Sequence, residues 1–263
     1  ALYGLKQAGK IANDDLTKHL EPYGYKPSKT TPGLWLHDTR KIHFTLVVDD
    51  LGVKYSDKAD AEHLFEAIGK KYPLKIDWEA KTYLGINFEW HYDEGYVILS
   101  MKGYIEKALK EFLWRKPLKP VHSPSRYDRP EYGKKVQYAK QDLTKRLNDK
   151  QKRQIQKVTG KFLYNARSVY CIIMHALNEL NIAASDPTEE TQKDLEHFLD
   201  YVATHPEAKI IYRASDMQLE VDCDAAYLVA PKARSRAAGY HYLGNHNGKL
   251  FNRPIHVLVN VIK

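Results

Sequence analysis

Two adjacent carboxylates, Asp49 and Asp50, are the residues of this 263-residue chain best placed to do chemistry. They lie between the alternating apolar positions Ile42, Phe44, Leu46 and Val48 on one side and Leu51, Val53 and Tyr55 on the other. That alternation predicts two strands joined as a hairpin with both acids at its tip. Neighbouring like charges repel, and a divalent cation relieves the repulsion; Mg²⁺ takes hard oxygen ligands of this kind. Two-metal phosphoryl transfer uses such carboxylates, usually joined by a third from another strand. The same residues also read as a solvated Asp-Asp turn, since Asp is common in turns.

Asp222 and Asp224 form a second acidic group, with Asp222 expected to end a strand and Asp224 to follow it. They read either as part of a metal site, such as that of an independent two-metal nuclease, or as acids in a strand-end loop. At the amino terminus, residues 1–8 contain a glycine turn leading into a helix. Lys6 and Gln7 near that helix start could meet phosphate. The twelve histidines are scattered without HExxH spacing, and no phosphate-binding glycine loop or nucleophile elbow is present. Two cysteines exclude a disulfide framework and a Cys-based zinc site and favour a reducing compartment.

The formal charge is +8, and one segment accounts for it. Between Arg115 and Lys161 there are fifteen Lys and Arg against four acids, an excess that leaves the remainder of the chain net acidic. Lys134, Lys135, Lys145, Arg146, Lys150, Lys152 and Arg153 lie here, interleaved with Tyr127, Tyr132 and Tyr138. Cations and aromatics in this mixture suit a phosphate backbone with stacked bases. A solvated helix face with a lysine-rich loop is the alternative reading.

The elements that must hold these residues follow from periodicity. Helices are predicted over 11–20, 58–71 and 104–114. One long or two joined helices span 151–184, with Gly160 as a candidate joint. A further helix starts at Asp186-Pro187-Thr188, with Asp186 as its cap, and runs to about Thr204. Strands are predicted at 34–36, 83–90, 96–100, 210–213, 218–222, 237–243 and 249–251. Residues 115–148 read as a long basic loop. Hydrophobic residues make up 43% and charged residues 28%, which is globular composition. No apolar run approaches the roughly 18 residues of a membrane span, so no membrane partner is expected.

Several segments, in this order, resemble one family. LYGLKQA at 2–8, LVVDDLGV at 46–53, KTYLGINFEW at 81–90 and LSMKGYIEKAL at 99–109 are similar to the reverse transcriptase of copia-type LTR retrotransposons. IQKVTGKFLYNARSV at 155–169, PTEETQKDLEHFLDYVATHP at 187–206 and the stretch 221–244 resemble the connecting region and early ribonuclease H of the same polyproteins.

The resemblance implies an α+β fold. Its parts are a partial polymerase palm with β-hairpins (1–100), a helical thumb and connection with a basic loop at 115–148 (101–208), and the amino-terminal half of a ribonuclease H-like α/β domain (209–263). It implies that Asp49 and Asp50 are the catalytic, metal-binding palm acids, and that Gly4, Lys6 and Gln7 line the incoming-nucleotide pocket. Tyr83, Leu84 and Gly85 become the primer grip, and Asp222 the first ribonuclease H metal ligand. The basic residues would hold the backbone of the template–primer. Implied partners are an RNA template, a DNA primer, their RNA–DNA hybrid, deoxynucleotides and other parts of the pol polyprotein. The implied cofactor is Mg²⁺ or Mn²⁺. The implied location is a cytoplasmic virus-like particle with access to the nucleus.

The chain also departs from the family pattern. Ala12 and Asn13 stand where a Trp–Tyr pair is usual, and Tyr170-Cys171 continues its helix atypically. Residue 1 is Ala and the first methionine is Met101. The expectation is therefore a fragment cut after the family's first palm acid and before the later ribonuclease H acids, inactive alone. A non-catalytic nucleic-acid-binding remnant of a decayed element is the alternative.

Overall fold

The computed structural model describes residues 5, 7–127, 142–230 and 234–262. It is mixed α and β, with antiparallel sheets and six α-helices among the described residues, an α+β composition. The chain divides into two compact units, Ala1–Gly85 and Ile86–Lys263. Among the described residues no helix is long and apolar enough to cross a membrane.

In the amino-terminal unit, α1 (Ala8–Leu20) precedes four strands: β1 (Tyr25–Pro27), β2 (Leu34–His37), β3 (Ile42–Val47) and β4 (Asp50–Tyr55). They form one antiparallel sheet in sequence order. Helix α2 (Lys58–Gly69) follows, its first turn closed by the Asp57 carboxylate accepting from the Ala59 amide at 2.9 Å. A short strand β5 (Thr82–Tyr83) ends the unit. Alternation along β3 buries Ile42 and Phe44 against Leu20, Tyr25, Trp35, Leu64, Ala67 and Ile68. Trp35 and Phe44 stack with ring centres 5.3 Å apart. The helices thus cover one face of the sheet, and the opposite alternate positions stay open.

The turn between β2 and β3 is locked by His37. Its Nδ1 accepts from the Thr39 and Arg40 amides at 3.1 and 3.0 Å, so Nε2 carries the proton and donates to the Tyr23 carbonyl at 3.0 Å. Gly24 makes the close approach possible: its φ is +83°, and a Cβ there would lie 2.8 Å from His37 Nε2.

The second unit begins with β6 (Ile86–His91) and β7 (Tyr96–Ser100), an antiparallel pair turning over residues 92–95. Helices α3 (Tyr104–Glu111), α4 (Asp149–Ser168), α5 (Met174–Ala183) and α6 (Glu189–Thr204) follow. Strand β8 (Lys209–Arg213) then returns to pair with β7, so residues 96–100 and 209–213 share one sheet. Strands β9 (Gln218–Ala230), β10 (Arg234–Gly244) and β11 (Pro254–Ile262) make a separate three-stranded antiparallel meander. The helical core gathers Ile105, Ile155, Val158, Phe162, Leu195, Phe198 and Leu199, and Val257 and Val259 of β11 pack at its edge.

Four sequence expectations change. The 151–184 helix does break in two, but at Val169-Tyr170 and a short 3-10 turn (Cys171–Ile173) rather than at Gly160, which stays inside α4. Helix α6 is capped by Thr188, not Asp186. The Thr188 hydroxyl accepts from the Thr191 amide at 3.3 Å, and Thr191 Oγ1 accepts back from the Thr188 amide at 3.1 Å. The strand expected at 83–90 is interrupted at Leu84-Gly85, which have φ +52° and +75°. Residues 249–251 are not a strand but part of the connection leading to β11.

Candidate functional site

Strands β3 and β4 position the acid pair. Their register places Phe44 opposite Val53, Thr45 opposite Gly52, Leu46 opposite Leu51 and Val47 opposite Asp50. Val48 and Asp49 are left as a two-residue turn. The hairpin expected from the sequence is present, with its tip one residue earlier: Asp49 lies in the turn and Asp50 opens β4.

Two-residue hairpin turns of the tight kind need a positive φ, and Val48 supplies it at +57° with 92% of its surface exposed. A β-branched residue in that region carries strain of about 1–3 kcal/mol, and such strain gathers at functional sites. Pleating sends Thr45, Val47, Asp50 and Gly52 to the open face, opposite the side packed on the helices. Both carboxylates are solvent-exposed. Exposed, hard oxygen donors side by side suit one edge of a Mg²⁺ coordination sphere. They do not complete it: among the described residues no group of three or more His, Cys, Asp or Glu could hold a metal ion.

Tyr83 of β5 joins this open face. Its hydroxyl lies 2.8 Å from Thr45 Oγ1, the residue two before Val47 on β3. The left-handed pair Leu84-Gly85 then turns the chain away. The three residues taken together from the sequence thus comprise one ring seated on the acid-bearing hairpin and a sharp turn beyond it.

The other candidates are less gathered. Gln7 is exposed and stands at the cap position of α1, its carbonyl accepting from the Ile11 amide at 3.0 Å. Gly4 and Lys6 lie outside the described residues. Asp222 is not at a strand end: β9 runs on to Ala230, with Asp222 opposite Tyr240 and Asp224 opposite Ala238. The two acids share one face of β9, both exposed. Burial, with the charges of Asp222 and Glu220 behind it, raises the Tyr242 hydroxyl above its ordinary pKa.

Of the basic group, Lys134 and Lys135 lie outside the described residues. The rest divide by partner. Arg146 pairs with Asp186 at 2.9 Å, and Lys152 donates to the Ser185 carbonyl at 2.7 Å. Lys145, Lys150 and Arg153 present exposed cations at the start of α4 and just before it.

Sequence reading missed what residues 114–127 do. They lie as a strap along α6. Trp114 Nε1 donates to Asp200 at 3.0 Å, the Val121 amide to Thr204 Oγ1 at 3.1 Å, and His197 Nε2 to the Ser123 carbonyl at 2.9 Å. Arg126 closes the strap on Asp194 at 2.6 Å and Glu190 at 2.9 Å, and the Asp194 contact above all raises its pKa. The signal was available: Glu190, Asp194, His197, Asp200 and Thr204 recur at helical spacing, a polar stripe awaiting partners.

Residues 1–119 match the family model described as Reverse transcriptase (RNA-dependent DNA polymerase). A transposon Ty5-1 protein of Saccharomyces cerevisiae is 24% identical over 229 residues, which is 86% of this chain and 70% of that protein. The chain resembles a copia-type retrotransposon reverse transcriptase. The reverse-transcriptase match takes in the whole acid-bearing hairpin and continues through β7 and α3. No solved structure matches the chain.

Proposed function

We propose that the chain is part of an RNA-directed DNA polymerase whose reaction is template-directed nucleotidyl transfer. One observation carries this reading: the Asp49-Asp50 pair sits on the exposed tip of a β-hairpin inside the segment that matches the reverse transcriptase family. Asp49 and Asp50 would hold Mg²⁺ or Mn²⁺. When bound, the metal ions would activate the primer 3′ hydroxyl and stabilise charge on the departing pyrophosphate. Tyr83, Leu84 and Gly85 would meet the primer end, and Gly4, Lys6 and Gln7 the incoming deoxynucleotide. Lys145, Lys150 and Arg153, with Lys134 and Lys135, would hold the phosphate backbone of the template–primer. Asp222 would serve a ribonuclease H metal site, a reading its exposure on β9 supports.

Because no third ligand joins Asp49 and Asp50 among the described residues, the 263 residues alone are expected to bind an RNA–DNA hybrid without extending it. The test is primer extension on poly(rA)/oligo(dT) with Mg²⁺ or Mn²⁺. Robust extension that disappears in Asp49→Asn would overturn the claim that a ligand is missing. Hybrid affinity is expected to fall linearly with log salt; a flat response would remove the nucleic-acid role altogether.

The incomplete ligand set also favours a second reading, a nucleic-acid-binding remnant that performs no chemistry. Binding of Mn²⁺ that is weakened equally by Asp49→Asn and Asp50→Asn argues for the polymerase reading. Hybrid binding with no such metal dependence argues for the remnant.

A further inference from the structure

Gly52 is out of place by local propensity. It stands inside β4, where glycine gives a strand nothing to pack and costs conformational entropy. Its φ is not left-handed, so no turn requires it. The reason lies across the open face. A Cβ at Gly52 would sit 2.9 Å from Tyr83 Cζ, so the ring would have to shift, and 3.0 Å from Thr45 Oγ1, which would have to give by a few tenths of an ångström. The Tyr83 ring occupies the space that any other side chain at position 52 would fill.

The polar end of that ring is held as well. Thr45 and Gly52 are cross-strand partners, two pairs behind Val47–Asp50 and on the same face of the sheet. Thr45 Oγ1 donates toward the Gly52 carbonyl at 3.4 Å, and the Tyr83 hydroxyl lies 2.8 Å from the same Thr45 oxygen. Tyr83 therefore donates to Thr45, which donates to Gly52, a short relay that ends on the acid-bearing strand. Directly after Tyr83, two successive left-handed residues, Leu84 and Gly85, leave the chain little freedom of direction.

We propose that Thr45 and Gly52 are positioning residues. They fix the Tyr83 ring, and through it the Leu84-Gly85 turn, at a set place on the acid-bearing hairpin. The proposal rests on the reading that residues 83–85 meet the primer end. It adds that the place of this segment is set from the strands that carry the acids, so that primer end and metal ligands keep one spacing. Small displacements between reacting groups cost rate steeply, which is what such a coupling guards against.

The test needs neither metal nor turnover. An oligo(dT) primer ending in 4-thiothymidine is annealed to poly(rA), bound to the full chain and photo-crosslinked, and the labelled peptides are mapped. Hybrid affinity is followed in parallel by fluorescence anisotropy. The parent chain is expected to crosslink within residues 82–85. Thr45→Val keeps the shape and removes the hydroxyl. It is expected to lose most of that crosslink or move it to other peptides, with affinity unchanged. Thr45→Ser restores the hydroxyl and with it the parent pattern. Gly52→Ala forces the ring to shift and is expected to behave like Thr45→Val. If Thr45→Val and Gly52→Ala crosslink as the parent does, the positioning role is overturned while the primer-end reading stands. If the parent binds the hybrid but crosslinks elsewhere, the primer-end reading fails and takes the coupling with it.

Discussion

In Ala1–Gly85 the charged residues of interest stand on an exposed, strained hairpin, whereas in Ile86–Lys263 many of the conspicuous cations are tied to the protein itself. Arg126 clamps Asp194 and Glu190, Arg146 meets Asp186, and Lys152 caps the Ser185 carbonyl. Asp49 and Asp50 sit exposed where a turn holds Val48 at φ +57°. A cluster of like charge in a sequence is therefore two different things. Where the backbone is bent at a cost to display it, the charge is available to a ligand; where an opposite charge waits at helical spacing, it is a fastening.

The two units also differ in how their cores hold them. The largest expected effect comes from Phe162→Ala, which removes a fully buried ring from the helical core. It should lower the stability of Ile86–Lys263 by about 3–5 kcal/mol in urea unfolding. Hydrogen exchange at β3 and β4 should hardly change; an equal loss of protection there would break the comparison between the units.

Next in size is the cap of α6. Thr188→Ala removes the hydroxyl that accepts from the Thr191 amide and should cost about 1 kcal/mol. Asp186→Ala, at the position expected from sequence to be the cap, should cost less.

Arg126→Met and Lys150→Gln separate fastening from availability. The first should cost about 0.5–1 kcal/mol, and the loss should shrink in high salt, since the pairs are partly exposed. Lys150→Gln should leave the melting temperature unchanged while reducing the salt slope of hybrid binding by about 1. The reverse pattern would dissolve the distinction.

The smallest effect concerns pH and belongs to the first unit. Burial, with Arg40 and His37 adding to it, holds His63 below its ordinary 6.5. Its Nδ1 lies 3.0 Å from the Tyr25 hydroxyl, and Asp60 and Glu66 face it with opposing, weaker influence. The unfolded chain therefore takes up this proton more readily than the folded one. Stability is full above about pH 6.5 and declines as pH falls below it. A melting temperature for Ala1–Gly85 that is flat between neutral and mildly acid pH would remove His63 from the account, and His63→Gln should flatten it if the account holds.

Much of the architecture was legible because periodicity is local. The β3–β4 hairpin, β7 and helices α1, α2 and α6 follow from apolar spacing within each segment. What escaped was set by distant partners. That β8 would return to β7 is invisible at residues 209–213 alone. So is the strap, whose anchors lie on a helix more than sixty residues away. At the site, the acids were readable as a pair, but Thr45 and Gly52 were not. A threonine and a glycine in a strand carry no signal until the Tyr83 ring is seen to occupy the space between them.

The strap also sets where the chain can be altered. Arg126 reaches Glu190, and Asp142 bonds Thr188 and Thr144, whose hydroxyl in turn receives the Glu190 amide. Arg126 and Asp142 thus fasten to one spot, the first turn of α6. A substitution there, at Thr188 or Glu190, would therefore loosen two separate segments of the chain at once.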